Sequence, residues 1–138
     1  MIMNTTSRKA KVLVVDDDKI VLRAASEILQ REGYVVVAID DTSLAGIGRW
    51  PWSRRVHAAL IDRAREVGAA AVVLDILLDT PSQDDDDADQ ELARAMRASG
   101  RVVLPFGQAT TGSVLSGEVL PLPDLANAAA ALGHSQVE

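Results

Sequence analysis

This sequence predicts a single α/β domain built on a doubly wound parallel sheet, and three observations carry that expectation. Short apolar, β-branched runs alternate with longer amphipathic segments, the order that joins parallel strands through right-handed helical crossovers. The chain has 138 residues, the size of one domain, and its 48% hydrophobic content is ample for one packed core. Acidic residues follow directly on the apolar runs, at the strand ends beyond which such sheets bind ligands. About four to five strands with helices on both faces are expected.

Taken in order, residues 1–10 are polar and aperiodic and are expected to be disordered. "KVLVVD" then reads as a strand buried on both faces, ended by Asp16, Asp17 and Asp18. "KIVLRAASEILQREG" places Val21, Ala25, Ile28 and Leu29 on one side at helical spacing, and Gly33 supplies a left-handed stop. "YVVVAID" is a second buried strand, and "DDTSLAGIGRWPW" reads as a loop rich in Gly and Pro. In "SRRVHAALIDRAREVG" the inward face is Val56, Ala59, Leu60 and Ala64, with Ser53 as N-cap and Gly68 as the stop. "AAAVVLDILL" is strand three. "SQDDDDADQELARAMRASG" is a helix with Leu92, Ala95 and Met96 inward, its acids gathered where the helix dipole favours them. "RVVLPF" is strand four, "GQATTGSVLSGEVLPLP" a loop with room for a short hairpin, and "PDLANAAAALG" a last helix begun by Pro123. The pattern suits a flavodoxin-like or Rossmann-like order.

The net charge of -6 argues against a nucleic-acid backbone or an anionic membrane as partner, because either would repel this surface. With no cysteine, neither a disulfide framework nor a thiolate metal site is available. No stretch approaches the roughly 18 unbroken apolar residues of a membrane span. The chain as written is therefore expected to be soluble and cytoplasmic, a monomer or weak homodimer. Its charge is uneven: all three lysines (Lys9, Lys11, Lys19) lie near the start, and only arginine follows.

Asp16, Asp17 and Asp18 repel one another, so either a metal ion or solvation of the strand end must make them tolerable. Asp75, at the end of a neighbouring strand, can complete the acidic cluster begun by Asp16 and Asp17; Asp40, Asp41 and Asp79 also fall at strand ends. Arg49, Trp50, Trp52 and Arg54, in "GRWPWSRRVHA", offer a ligand or partner surface, although a Trp-Pro-Trp more often forms a hydrophobic lid over a helix start. His57 and His134 have no second ligand at metal spacing and read as structural. The acids from Asp84 to Asp87, with Asp89, lack the glycine and closing glutamate of a calcium loop and read as a solvated helix start. Ser113 and Ser116 sit in no nucleophile elbow, and "AGIGRW" is followed by no Lys-Ser/Thr, so no catalysis is expected.

Two resemblances extend this reading. Residues 11–40, "KVLVVDDDKIVLRAASEILQREGYVVVAID", resemble the opening of a response-regulator receiver domain. That likeness implies Mg²⁺ on Asp16 and Asp17, a phosphoacceptor at Asp75 in "VVLDILLD", and a histidine kinase as partner. The chain departs from the pattern in three places: the unit leading to Asp75 is longer than a receiver's, "LPFGQ" holds no Thr or Ser, and no Lys follows Lys19. Residues 35–138, through "GRWPWSRRVHA", "DIL" and "LGH", resemble a truncated CHASE domain of the second type, a bacterial sensory domain normally extracytoplasmic and fused to an output domain. The two overlap at "VVVAID", where a splice would keep both hydrophobic patterns in register, so the chain reads as a hybrid. The resemblances imply a non-catalytic signal-transduction module with a sensor-like body and an acidic, Mg²⁺-binding cluster. The alternatives are a degenerate receiver phosphorylated on Asp75, and an engineered or computed hybrid that only folds.

Overall fold

Strand β1 (Lys11–Val15) is buried from Val12 to Val15 because it runs inside the sheet, parallel to β2 (Val35–Ala38) on one side and β3 (Ala71–Leu74) on the other. β3 pairs in parallel with β4 (Val102–Thr111), and β4 in parallel with β6 (Ala131–His134). The parallel order is thus β2-β1-β3-β4-β6. Beyond Gly107, β4 pairs antiparallel with β5 (Val114–Val119), with a register shift between Ala109 and Thr110. The computed structural model describes residues 10–15, 19–38, 41–49, 51–83, 85, 87–111 and 114–134.

Period-two alternation sends the strand residues to two separate cores. On one face, Leu13, Val15, Val72, Leu74, Val102 and Leu104 meet α3 (Arg54–Glu66), α4 (Ala88–Ser99) and α5 (Pro123–Ala128) through Ile61, Ala64, Leu92, Met96 and Leu125. On the other, Val12 and Val14 pack with Leu22 and Leu29 of α1 (Lys19–Arg31). Ser53 caps α3 as expected, its hydroxyl accepting from Arg55 N–H, and Gly100 closes α4 in the left-handed region at φ +63°.

Several expectations need correction. The segment read as a loop after β2 contains a helix, α2 (Asp41–Ile47); its Asp-Thr-Ser start suits a helix N-terminus, and Gly48 at φ +119° follows its end. In α1, Val21 and Ile28 are exposed at 44% and 61%; the inward stripe is Leu22, Ala25 and Leu29, one position round, because the helix meets a two-strand edge that accepts only a narrow stripe. α3 is likewise turned, burying His57, Ala58, Ile61 and Ala64 while Ala59 is exposed, because it packs on α4 as well as on the sheet. β3 stops at Leu74, earlier than expected. The last helix ends at Ala128, and Ala131–His134 joins the open side of β4 instead: ladder hydrogen bonds outweigh the helix preference of a few alanines in so short a helix. The hairpin for which there was room forms as β4–β5. The start expected to be disordered lies outside the described residues except for Ala10, whose carbonyl accepts from Val35 N–H at 3.0 Å.

Candidate functional site at the carboxyl end of the sheet

Where β3 ends, Asp75 N–H donates to Val15 O at 2.8 Å, so Asp75 stands at the carboxyl end of the sheet beside the end of β1. Its side chain is half-buried. Asp16 and Asp17, the other members of the expected Mg²⁺ set, follow Val15 in sequence and lie outside the described residues, as do Asp40 and Trp50. Among the described residues no three His, Asp or Glu side chains are grouped to hold a metal ion.

Beyond Asp75 the chain passes the start of α3 and leaves a cleft of about 350 Å³. One wall runs from Pro51 to Arg54; the other is made by Ile76, Leu77 and the stretch from Thr80 to Gln83. Trp52 is only 6% exposed: its indole N–H donates to Gly48 O at 3.0 Å, and its ring lies 6.1 Å from His57, tilted by 43°. The lid reading therefore describes Trp52 well, with one edge of the lid facing the cleft. Arg49 is exposed.

Arg54 is a strut across the cleft wall. Its side chain is 14% exposed, Nε donates to Asp89 Oδ1 at 2.9 Å, and Nη2 donates to Thr80 O at 2.9 Å. Asp89 Oδ2 in turn accepts Ser82 N–H at 2.7 Å. One carboxylate thus neutralises Arg54 and pins the chain between β3 and α4, through charge-assisted bonds that are stronger than neutral ones and, at this partly buried position, less screened than on the open surface. Next to it, Arg55 Nη2 donates to both carboxylate oxygens of Asp85 at 2.8 and 2.9 Å, Nε donates to Asp85 Oδ2 at 3.3 Å and Nη1 bonds Glu91, while Arg94 donates to Asp62 at 2.9 Å. The Asp85 hydrogen bond raises the Arg55 guanidinium, and reciprocally Arg55 holds the Asp85 carboxyl below its usual range.

The acids before and within α4 are therefore not merely a solvated helix start, since Asp85 and Asp89 are the counter-ions of Arg55 and Arg54. A signal for this was present in the sequence. Two arginines in the first turn of a helix oppose its dipole, so they call for carboxylates from elsewhere in the fold. His57, directly beneath, is 2% exposed; burial first, and the Arg54 charge second, push its pKa down to about 4, so it is neutral near pH 7. It is a core histidine, in line with the structural reading. His134 packs edge-on against Phe106, with centroids 5.0 Å apart.

The family model of the CHASE2 domain matches residues 7–138. The chain belongs to the CHASE2 domain family. The match runs through the receiver-like start as well as the sensor-like body, so both lie within one family domain. A comparison with curated proteins finds no match. Among solved structures, the chain is similar to a CheY-like response regulator receiver domain protein from Methanospirillum hungatei, at 16% identity and a TM-score of 0.50, covering 94% of this chain and 84% of that one. At such identity the likeness is one of fold, and it makes the architecture of this CHASE2 domain flavodoxin-like. Membership of the CHASE2 family marks a signal-transduction module, a class that commonly pairs with kinases or output domains. No helix among the described residues is long and apolar enough to cross a membrane.

Proposed function

We propose that this CHASE2 domain is a non-catalytic sensory module that takes a small molecule into the cleft at the carboxyl end of β3 and passes occupancy to a histidine kinase or fused output domain. The observation that carries this reading is the construction of the cleft. Its wall at Pro51–Arg54 is tied through Arg54 and Asp89 to α4, so a ligand wedged against Ile76 and Leu77 loads the seam between α3 and α4. The Arg54 charge is already matched, and the remaining lining mixes apolar side chains with the polar groups of Thr80, Ser82 and Gln83. Such a lining favours an uncharged, partly apolar molecule carrying hydroxyl or amide groups. A thermal-shift screen of metabolites, read also by tryptophan fluorescence, tests this. Saturable stabilisation that is lost in Leu77→Trp, which fills the cleft from a half-exposed position, supports it; no shift across the screen counts against it.

A second reading is favoured by the position of Asp75 beside the end of β1. In it the domain is a degenerate receiver in which Asp16, Asp17 and Asp75 bind Mg²⁺ and Asp75 accepts a phosphoryl group, the cation cancelling carboxylate repulsion and orienting the phosphoryl group. A Mg²⁺ titration with and without beryllofluoride distinguishes it: saturable stabilisation abolished by Asp75→Asn is its signature. A chain that answered neither experiment would be left as a hybrid that only folds.

A further inference from the structure

An edge strand with no protection invites pairing, and natural proteins usually guard such edges with a charge, a proline or a bulge. β2 ends the sheet order and, among the described residues, pairs only with β1. Its sequence, Val-Val-Val-Ala, contains none of those guards, and its first residue Val35 and the preceding Tyr34 are 42% and 40% exposed. Because Val35 N–H is turned toward β1, donating to Ala10 O, strand alternation turns the N–H and C=O of Val36 and Ala38 to the open side.

The helix above this edge adds a second observation. α1 buries Leu22 and Leu29 against Val12, Val14 and Val36. In a right-handed β1–α1–β2 crossover, helical spacing then places Arg23, Glu27 and Gln30 on the flank that overhangs the β2 edge. Arg23 and Glu27 lie 3.5 Å apart with side chains 84% and 56% exposed, one residue of each sign either side of Ala25.

We infer that β2 and the overhanging flank of α1 form an interface with a second copy of this chain, the two β2 strands pairing antiparallel about a two-fold axis perpendicular to the sheet. Centred on Val37, that axis sets Val36 opposite Ala38 of the second copy, and the two residues exchange main-chain hydrogen bonds twice over by symmetry. The same axis lays the two α1 helices antiparallel on one face of the continuous sheet. Arg23 then meets Glu27 of the second copy, and Glu27 meets its Arg23. The charge pattern is self-complementary only in this antiparallel sense; a parallel pair would set Arg23 against Arg23. That is why the occupant is a second copy.

Charge exchange on the 138-residue chain, followed by sedimentation up to about 0.5 mM, tests the interface. The unaltered chain is expected to dimerise with rising concentration. Arg23→Glu or Glu27→Arg alone, at positions too exposed to disturb the fold, should weaken the dimer about tenfold, because each change creates two like-charge contacts. The double exchange should restore it, and Val35→Lys, which guards the edge, should abolish it. Hydrogen exchange at the Val36 and Ala38 amides should slow as concentration rises. A chain monomeric at the highest concentration, or a dimer indifferent to the exchanges, would overturn the inference, and so would a double exchange that behaved like either single one.

Discussion

His57 provides a direct test of how the lid and core are coupled to protonation. It is 2% exposed beneath Trp52, and burial followed by the Arg54 charge lowers its pKa from the ordinary 6.5 to about 4. The neutral imidazole is thus the form the fold accepts. Above pH 6.5 neither the folded nor the unfolded chain carries this proton, and the full contribution to stability is present. Between 6.5 and about 4 the unfolded chain binds a proton that the folded chain refuses, so stability falls as pH falls, by about 1.4 kcal/mol per pH unit. Below about 4 both states are protonated and the loss levels off at about 3 kcal/mol, a large share of the 5–15 kcal/mol typical of a domain. The perturbation is His57→Leu, and the assay is urea unfolding at intervals from pH 7 to pH 4. Carboxylates contribute equally to both proteins and cancel in the difference. The variant need not match the original at pH 7; what is expected is that the gap between them shifts in favour of the variant by about 3 kcal/mol on acidification. A gap that stays constant across this range would refute the assignment of a buried, neutral His57.

Arg54→Ala should lower stability by about 2 kcal/mol, because it leaves the partly buried Asp89 carboxylate without its partner, whereas Arg55→Ala at the exposed end of the same seam should barely move the melting temperature. Differential scanning calorimetry of the two variants side by side checks the contrast. Leu92→Ala, at a fully buried position between α4 and the sheet, should cost about 3 kcal/mol, read as the denaturant midpoint at unchanged slope. Gly100→Ala should cost about 1 kcal/mol although open space surrounds the added methyl, because the backbone there is left-handed at φ +63°; a neutral result by chemical denaturation would contradict that conformation.

Much of the fold was legible because it is written in local pattern. The runs "KVLVV", "VVVA" and "AVVL" are short, valine-rich and apolar but for Lys11, and they become β1, β2 and β3, adjacent in the sheet in the order β2-β1-β3. Ser53 and Gly100 declare the ends of α3 and α4 through chemistry within a few residues of themselves. Legibility stopped where a residue's fate depends on what lies across from it. Val21 and Ile28 are as apolar as Leu22 and Leu29, and only the placement of α1 over the β1–β2 edge decides which pair is buried. The alanines after Pro123 suit a helix or a strand, and the vacant side of β4 decides for the strand from Ala131 onward.

The candidate site divides along the same line. Sequence alone established the class of domain, the absence of thiol chemistry, the acidic strand ends and the nomination of Asp75 and the Trp-Pro-Trp block, since each follows from residue type and order. Only the tertiary structure made Arg54 a strut instead of a waiting ligand group, by bringing Asp89 to it from 35 positions away. It also turned Asp85 into the counter-ion of Arg55, and it opened the cleft between segments that the sequence keeps apart. The physical reason is that ion pairs and cavities belong to the packing of α3 against α4. That packing is set by the whole sheet beneath them, and no local stretch of sequence encodes it.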